Sequence, residues 1–362
     1  MSIKRPRDLS ERELDFYSRQ IVLTNVGYNG QLGLKNAKAC LVGLGGLGSP
    51  AAMLLAAMGV GQLRLVDRDV VEFSNLQRQH LYGIRLLGYP KVEAAARRLK
   101  DLNPHIKIEP LPYSLNEDNA EDILRGVDVV VDGLDHMRPR YAINRACVKL
   151  KIPYIFGAAI ATHGHVSTIL PGETPCLECF QGNLDDETLP TCAVVGVHPS
   201  ILGIIASIEV AEAVKILLGE RPRLANKLLY CDIEYMDFQE VRLSQSENCP
   251  VCGPKASTSP APLKRDLIEE VCGRGGRRVF IITPRRDLDL DIKKLYEVLK
   301  KKNFNIEVKA NLGITFSQNC KRASVLKSGI LITEGVKDRE ETLEIFNEVV
   351  LEGLGIPRSY AD

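Results

Sequence analysis

Apolar residues along this chain fall into two alternating patterns, short runs and stripes at helical spacing. The first run, Ala39-Cys-Leu-Val42, leads directly into Gly43-Leu-Gly-Gly-Leu-Gly48, and a small-residue helix follows (Ala51, Ala52, Leu55, Ala56). A second run, Leu63-Arg-Leu-Val66, closes on Asp67 to complete one strand–helix–strand unit. The order continues through helix Lys91–Leu102, strand Lys107–Pro110, helix Glu117–Leu124 and strands Val127–Val131 and Tyr154–Phe156. Alternation of this kind predicts an α/β fold, a parallel sheet with helices on both faces. Residues 8–36 read as helical, with Leu9, Leu14, Tyr17 and Ile21 as the apolar stripe. After Val166–Leu170 the pattern changes to loops around Cys176, Cys179 and Cys192, then a long apolar helix Leu202–Leu218. Strands Leu228–Cys231 and Phe238–Arg242 precede Cys249-Pro-Val-Cys252.

Gly253 to Leu263 is rich in Pro, Ser and Ala and reads as a linker, which divides the chain into 1–258 and 259–362. The second unit predicts strand Val279–Thr283, helix Asp291–Lys302, hairpin Ile306–Lys309 with Gly313–Ser317, strand Val325–Thr333 and helix Asp338–Leu351. That order suits a small α+β domain.

Composition narrows the class. At 45% hydrophobic and 26% charged the chain is an ordinary soluble globular protein, and Lys plus Arg (47) nearly balances Asp plus Glu (46). Such balance argues against nucleic acid or an anionic membrane as partner. The apolar stretch Ala193 to Gly219 is interrupted by His198, Pro199, Glu209, Glu212 and Lys215, so it is a buried helix and not a bilayer span. The start has no apolar signal-peptide run, and four of the ten cysteines form two C-x-x-C pairs. Both features predict a reducing cytoplasm.

Gly43, Gly45 and Gly48 form G-x-G-x-x-G between a strand and a helix, the turn that brings backbone N–H groups close to a phosphate in Rossmann-like folds. Asp67, ending the next strand, is placed to accept from ribose hydroxyls. The loop alone suits NAD as well as ATP. Arg78 and Lys91 favour ATP, because they can neutralise a triphosphate, which hydride transfer does not require. Asp135, beyond strand Val127–Val131, stands at the carboxyl edge of the sheet, where a carboxylate among phosphates is a natural magnesium ligand. For each of these residues a surface ion pair is the alternative role.

Cys176-Leu-Glu-Cys179 and Cys249-Pro-Val-Cys252 offer four thiolates, enough for one closed structural zinc site. Two matched pairs favour metal over a redox C-x-x-C. Cys192 lies in a loop without strong strand or helix pattern. It is either a thiol suited to displacing AMP from an acyl adenylate or a small buried hydrophobe. Cys40, Cys147 and Cys231 fall in apolar elements and read as core, and His163 and His165 as structural histidines.

Together, Tyr17-Ser-Arg-Gln-Ile21, the glycine loop, Asp67, Ser74-Asn-Leu-Gln-Arg-Gln79, Pro90-Lys91, Asn103-Pro104 and Asp135 resemble the ThiF/MoeB/HesA and ubiquitin-activating enzymes. The resemblance runs from about Glu13 to Gly253. It implies that Asp67, Asn75, Arg78, Lys91 and Asp135 bind ATP and magnesium, and that Arg19 reaches the phosphates of the partner subunit in a homodimer. It also implies an acceptor role for Cys192 and zinc at the four cysteines. His136 departs from the pattern, where an asparagine commonly follows the aspartate. The implied activity is adenylation of a small ubiquitin-like or sulfur-carrier protein, followed by thioester formation or by sulfur transfer for molybdopterin, thiamine or tRNA. In the second unit, Leu288–Leu299 with Phe304–Phe316 resembles the ubiquitin-fold domain that recruits a conjugating enzyme, and a plain dimerisation or stabilising domain is the alternative. Every candidate ATP and thiol residue precedes the linker, so this unit is expected to be dispensable for adenylation.

Overall fold

The computed structural model describes residues 8–182, 184–189, 192–254, 260–263, 266–272 and 278–358, and the side chains of 192, 193 and 272 lie outside that description. Its larger sheet has eight strands: β1 (Lys38–Val42), β2 (Gln62–Val66), β3 (Lys107–Leu111), β4 (Val129–Asp132), β5 (Tyr154–Ile160), β6 (His163–Ile169), β7 (Lys227–Asp232) and β8 (Asp237–Arg242). They lie in the order β3-β2-β1-β4-β5-β6-β7-β8. The first five are parallel, as the alternation predicts. From β5 to β8 every pairing is antiparallel, so the sheet is mixed. Short turns join β5 to β6 and β7 to β8, as antiparallel neighbours allow, whereas the long connection from β6 to β7 carries Cys176, Cys179 and helix Pro199–Leu217.

Alternate residues of each central strand feed opposite cores. Ala39 and Leu41 of β1 face helices Gly48–Ala57, Lys91–Leu102 and Pro199–Leu217. Cys40 and Val42 face the other side, with Ile123, Tyr141 and Cys147. Being sandwiched against the sheet explains why Pro199–Leu217 is apolar along most of its length. No helix among the described residues is long and apolar enough to cross a membrane.

Helix Met137–Leu150 has no counterpart among the elements that the sequence pattern predicts. Pro139 obscures its start, yet a proline in the first turn costs no hydrogen bond, since those N–H groups have no intrahelical partner. The N-terminal helical region is divided into Glu11–Phe16, Ser18–Ile21 and Gly27–Asn36.

The second sheet contains β9 (Ile268–Cys272), β10 (Arg278–Ile282), β11 (Asn305–Lys309), β12 (Gly313–Gln318), β13 (Lys321–Leu326) and β14 (Leu331–Glu334). Its order is β11-β12-β13-β14-β10-β9, antiparallel throughout. It is α+β as expected, and nothing in its topology singles out the ubiquitin fold. The single strand expected at 325–333 is two strands, separated by a turn at Gly329, whose φ is +91°. One face, with Ile282, Ile314 and Phe316, is covered by helix Ile292–Lys301 and the helical stretch around Phe346–Leu351. The other face presents Ile281, Leu326, Ile330 and Ile332, and these pack on Val70 of the larger unit.

Candidate nucleotide site and cysteine cluster

The glycine loop is a place where three backbones cross. Gly43 has φ +89°, and a Cβ there would lie 2.5 Å from the carbonyl oxygen of Gly133. A Cβ on Gly48 would lie 1.9 Å from the carbonyl oxygen of Gly43. Both positions exclude side chains so that the ends of β1 and β4 can meet the start of helix Gly48–Ala57. Gly133 completes the crossing. Sequence reasoning misses it, although Val-Val-Val-Asp-Gly at 129–133 marks a strand running into a tight turn. Gly45 is different. A Cβ there would have ordinary room, 3.8 Å from Gly133 and 3.9 Å from Gln79 Nε2. Its missing side chain therefore leaves the loop open to a ligand instead of serving packing. Gln79 Oε1 and Ser49 Oγ are buried without a hydrogen-bond partner among the described residues, which a bound polar group would supply.

Behind the loop, the Asp67 carboxylate accepts from the N–H of Leu44 at 2.7 Å and the N–H of Asp69 at 2.8 Å, so the same group shapes both segments. Burial pushes Asp67 up despite the nearby charge of Lys91. Lys91, at the first position of its helix, is buried and donates to Asp69 at 2.8 Å. Burial opposes its charge, but Asp69 and Asp67 outweigh it and hold the ammonium above the ordinary lysine value. Asp69 is opposed by burial too, yet Lys91 and Arg68 hold it below the ordinary carboxylate value. Asp69 is a second acid that sequence reasoning passes over, though it stands two residues from Asp67.

Asn75 is buried, and its Oδ1 accepts from the N–H of Glu72 at 3.1 Å. Arg78 Nη1 donates to the carbonyl of Ser74 at 3.0 Å, which sets its stem along the same short turn. Asp135 Oδ1 lies 2.7 Å from His136 Nδ1, and its side chain is 73% exposed. Enclosure of the site opposes its charge, but the His136 hydrogen bond and the charges of His136, Lys91 and Arg140 hold the carboxyl far below its ordinary value. That hydrogen bond raises His136 in return. The departure at 136 thus places an ionisable group against the expected magnesium ligand.

Residues after β1, β2 and β4 therefore meet at the carboxyl edge of the parallel strands, where folds of this type bind ligands. The Asp135 turn has a buried support. Asp132 accepts from Arg140 Nε at 3.0 Å and from the Tyr154 hydroxyl at 2.6 Å, while Arg140 donates to the carbonyls of Leu134 and Gly157, both at 2.7 Å. Sequence patterns carry no sign of this network. Arg19 stands exposed on helix Ser18–Ile21, and among the described residues no hydrogen bond or ion pair links it to the cluster.

The four cysteines come together as their spacing predicts. Their sulfurs all lie within 4.8 Å of one another, with Cys176–Cys249 at 3.5 Å and Cys179–Cys252 at 3.4 Å. Four sulfurs about 2.3 Å from a central zinc would be about 3.8 Å apart, so the donor set fits a tetrahedral site. The hydrogen bond from Cys176 lowers Cys252 to about 5, and the same contact, with burial, pushes Cys176 up. A divalent cation would remove this conflict by taking all four as thiolates. Cys40, Cys147 and Cys231 are buried, as expected. Cys192 begins the short helix Cys192–Val195, and its thiol lies outside the described side chains. The backbone just beyond is tied to the end of β5, where the N–H of Ala161 donates to Gly196 at 3.0 Å and the N–H of His198 to Ala161 at 2.8 Å.

Comparison with known proteins agrees with this geometry. The ThiF family model matches residues 17–251. The chain is 40% identical over 246 residues to the SAMP-activating enzyme E1 of Haloferax volcanii, covering 68% of this chain and 91% of that protein. To the sulfur carrier protein adenylyltransferase of Thermus thermophilus it is 40% identical over 272 residues, 73% of this chain and 98% of that one. To the molybdopterin-synthase adenylyltransferase of Escherichia coli it is 38% identical over 248 residues, 68% and 99%. A crystal structure of E. coli MccB with ATP superposes with a TM-score of 0.58 at 25% identity, covering 66% of this chain and 74% of that one. The family match spans well over half of the chain and ends before the second sheet. The chain belongs to the ThiF family and is an enzyme of the adenylyltransferase and activating-enzyme kind.

Proposed function

We propose that this enzyme uses ATP and magnesium to adenylate the C-terminal carboxylate of a small ubiquitin-like or sulfur-carrier protein ending in Gly-Gly, and then carries the acyl group on Cys192. The observation that carries this reading is the convergence of the open glycine loop, Asp67, the Lys91–Asp69 pair and Asp135 from three strand ends. Asp67 holds the loop in shape for the nucleotide. Lys91 and Arg78 offset charge on the phosphates, and Asp135 is the carboxylate available to magnesium. The carrier carboxylate attacks the α-phosphorus, an acyl–phosphate bond forms, and pyrophosphate leaves. The Cys192 thiolate then attacks the acyl carbon and AMP departs with the bonding electrons. Homodimerisation, with Arg19 completing the partner's site, belongs to the same reading. Transfer of sulfur to the adenylated carrier is the second fate, favoured by the names of two of the relatives.

Pyrophosphate–ATP exchange against a panel of small proteins ending in Gly-Gly tests the first step, and exchange with none of them would reject it. In Cys192→Ala, exchange should persist while the reductant-sensitive enzyme–carrier adduct disappears. An adduct that survives the substitution moves the nucleophile elsewhere.

A further inference from the structure

The loop that carries Asn75 and Arg78 is closed at its base by a short antiparallel pairing of 69–71 with 88–91. The N–H of Lys91 donates to Asp69 at 2.9 Å, that of Val71 to Tyr89 at 2.8 Å and that of Gly88 to Val71 at 2.8 Å. This base sets the Lys91–Asp69 pair as well as the direction of the loop.

The C-terminal unit holds that base from both of its strands. On one side, Arg68 makes a two-pronged ion pair with Glu269 of β9, Nη1 to Oε1 at 2.9 Å and Nη2 to Oε2 at 2.7 Å. Val70 is buried among Ile281, Leu326, Ile330 and Ile332. On the other side, the Thr315 hydroxyl donates to the carbonyl of Gly88 at 2.7 Å. Two residues past Lys91, the buried Glu93 accepts from the N–H of Leu312 at 2.8 Å and from Asn311 Nδ2 at 3.2 Å. Ser328 reaches the end of β3 through the carbonyl of Pro112 at 2.6 Å. All but the last of these contacts gather on the segments that bracket the candidate ATP residues. A module joined only by its linker would need none of them.

We propose that the C-terminal unit is a fixed wall of the nucleotide site, clamping the base of the Asp69–Lys91 loop, with Glu269 as a positioning residue for ATP. The unit reads from sequence as separable from the chemistry, and its docked face makes it part of the binding site. The inference rests on the nucleotide reading given above. Its energetic basis is preorganisation: a loop held in its binding shape loses less freedom when the ligand arrives.

The test measures ATP affinity by titration calorimetry, together with KM and kcat for exchange, on full-length wild type, Glu269→Arg, Arg68→Glu, the double swap Arg68→Glu/Glu269→Arg, and Thr315→Val. Glu269→Arg should weaken ATP binding by about three- to tenfold, the size of coupling expected between touching residues, with kcat within about twofold of wild type. The double swap should recover most of the affinity, and Thr315→Val should weaken it in the same direction by less. Lys302→Ala, which removes an ion pair with Glu348 away from the docked face, should leave affinity unchanged and serves as a control on general destabilisation. Wild type that binds no ATP would overturn the nucleotide reading and this inference with it. Wild type that binds ATP while Glu269→Arg binds it equally well would overturn the inference alone. Failure of the double swap to recover would also overturn it, because the charge of Arg68 itself, and not its pairing, would then be what the nucleotide needs.

Discussion

The carboxyl edge of the parallel strands and the cysteine cluster beyond the antiparallel ones use polar side chains in opposite ways. At the cluster, four donors from two distant segments face one point, and two of the four are buried. Among the described residues, all four donors of this cluster face one another. At the edge, acids and bases balance one another in pairs, Lys91 with Asp69 and Asp135 with His136, and Asp135 remains open to solvent. Charges satisfied by neighbours can exchange them for a nucleotide without unmaking the fold. The comparison teaches that one region should fail by unfolding and the other by losing activity.

The largest effect is expected at the cluster. Cys249→Ser should lose bound zinc and more than about 4 kcal/mol of stability, because metal binding at a closed site is folding free energy. Elemental analysis and calorimetry on the same preparation check this, and wild-type Tm in the variant would break the contrast. At the edge, Asp135→Ala should lower carrier-dependent exchange about 100- to 1,000-fold, the scale of one electrostatic contact to a transition state, with Tm unchanged. Arg19→Ala should be inactive in the same assay and regain activity when mixed with Asp135→Ala, since in the proposed homodimer a mixed pair restores one complete site. Recovery absent despite confirmed subunit exchange would place the whole site within one chain.

Glu209 sharpens the contrast because it belongs to neither region. It lies fully buried on helix Pro199–Leu217, where a Cβ on Gly157 would almost touch it, and neither oxygen has a hydrogen-bond partner among the described residues. Burial, helped by Asp132 and opposed by Arg140, pushes its carboxyl well above the ordinary 4.5. The unfolded chain ionises this group from about that value upward, while the fold retains the proton. Its contribution is therefore full below pH 4.5 and declines as pH rises toward the raised folded value, by at most about 1.4 kcal/mol per pH unit. Glu209→Gln should match wild type near pH 4.5 and melt higher at pH 6, with a gap that widens toward pH 7. A gap that stays flat over this range would mean that the carboxyl is already ionised in the fold.

Much of the site is legible in the sequence because its parts are local. Gly43 to Gly48 sit between a strand and a helix, Asp67 ends a strand, Lys91 opens a helix, and two C-x-x-C pairs declare their chemistry by spacing. The parts that are not legible are pairings across long stretches of chain. Gly133 matters because it crosses Gly43, Asp132 because it meets Arg140 and Tyr154, and Glu269 because it meets Arg68. Helix Met137–Leu150 is hidden by a proline that its first turn tolerates.

The α/β alternation, the glycine loop between strand and helix, the two C-x-x-C pairs and the family resemblance were determined by the sequence by itself, each written in neighbouring residues whose periodicity or spacing has a direct chemical meaning. The antiparallel half of the sheet, the buried support under Asp135 and the docking of the C-terminal unit were decided by tertiary structure. In each of these, side-chain types common on any surface acquire their role from a partner far away in the chain, and only folding brings the two together.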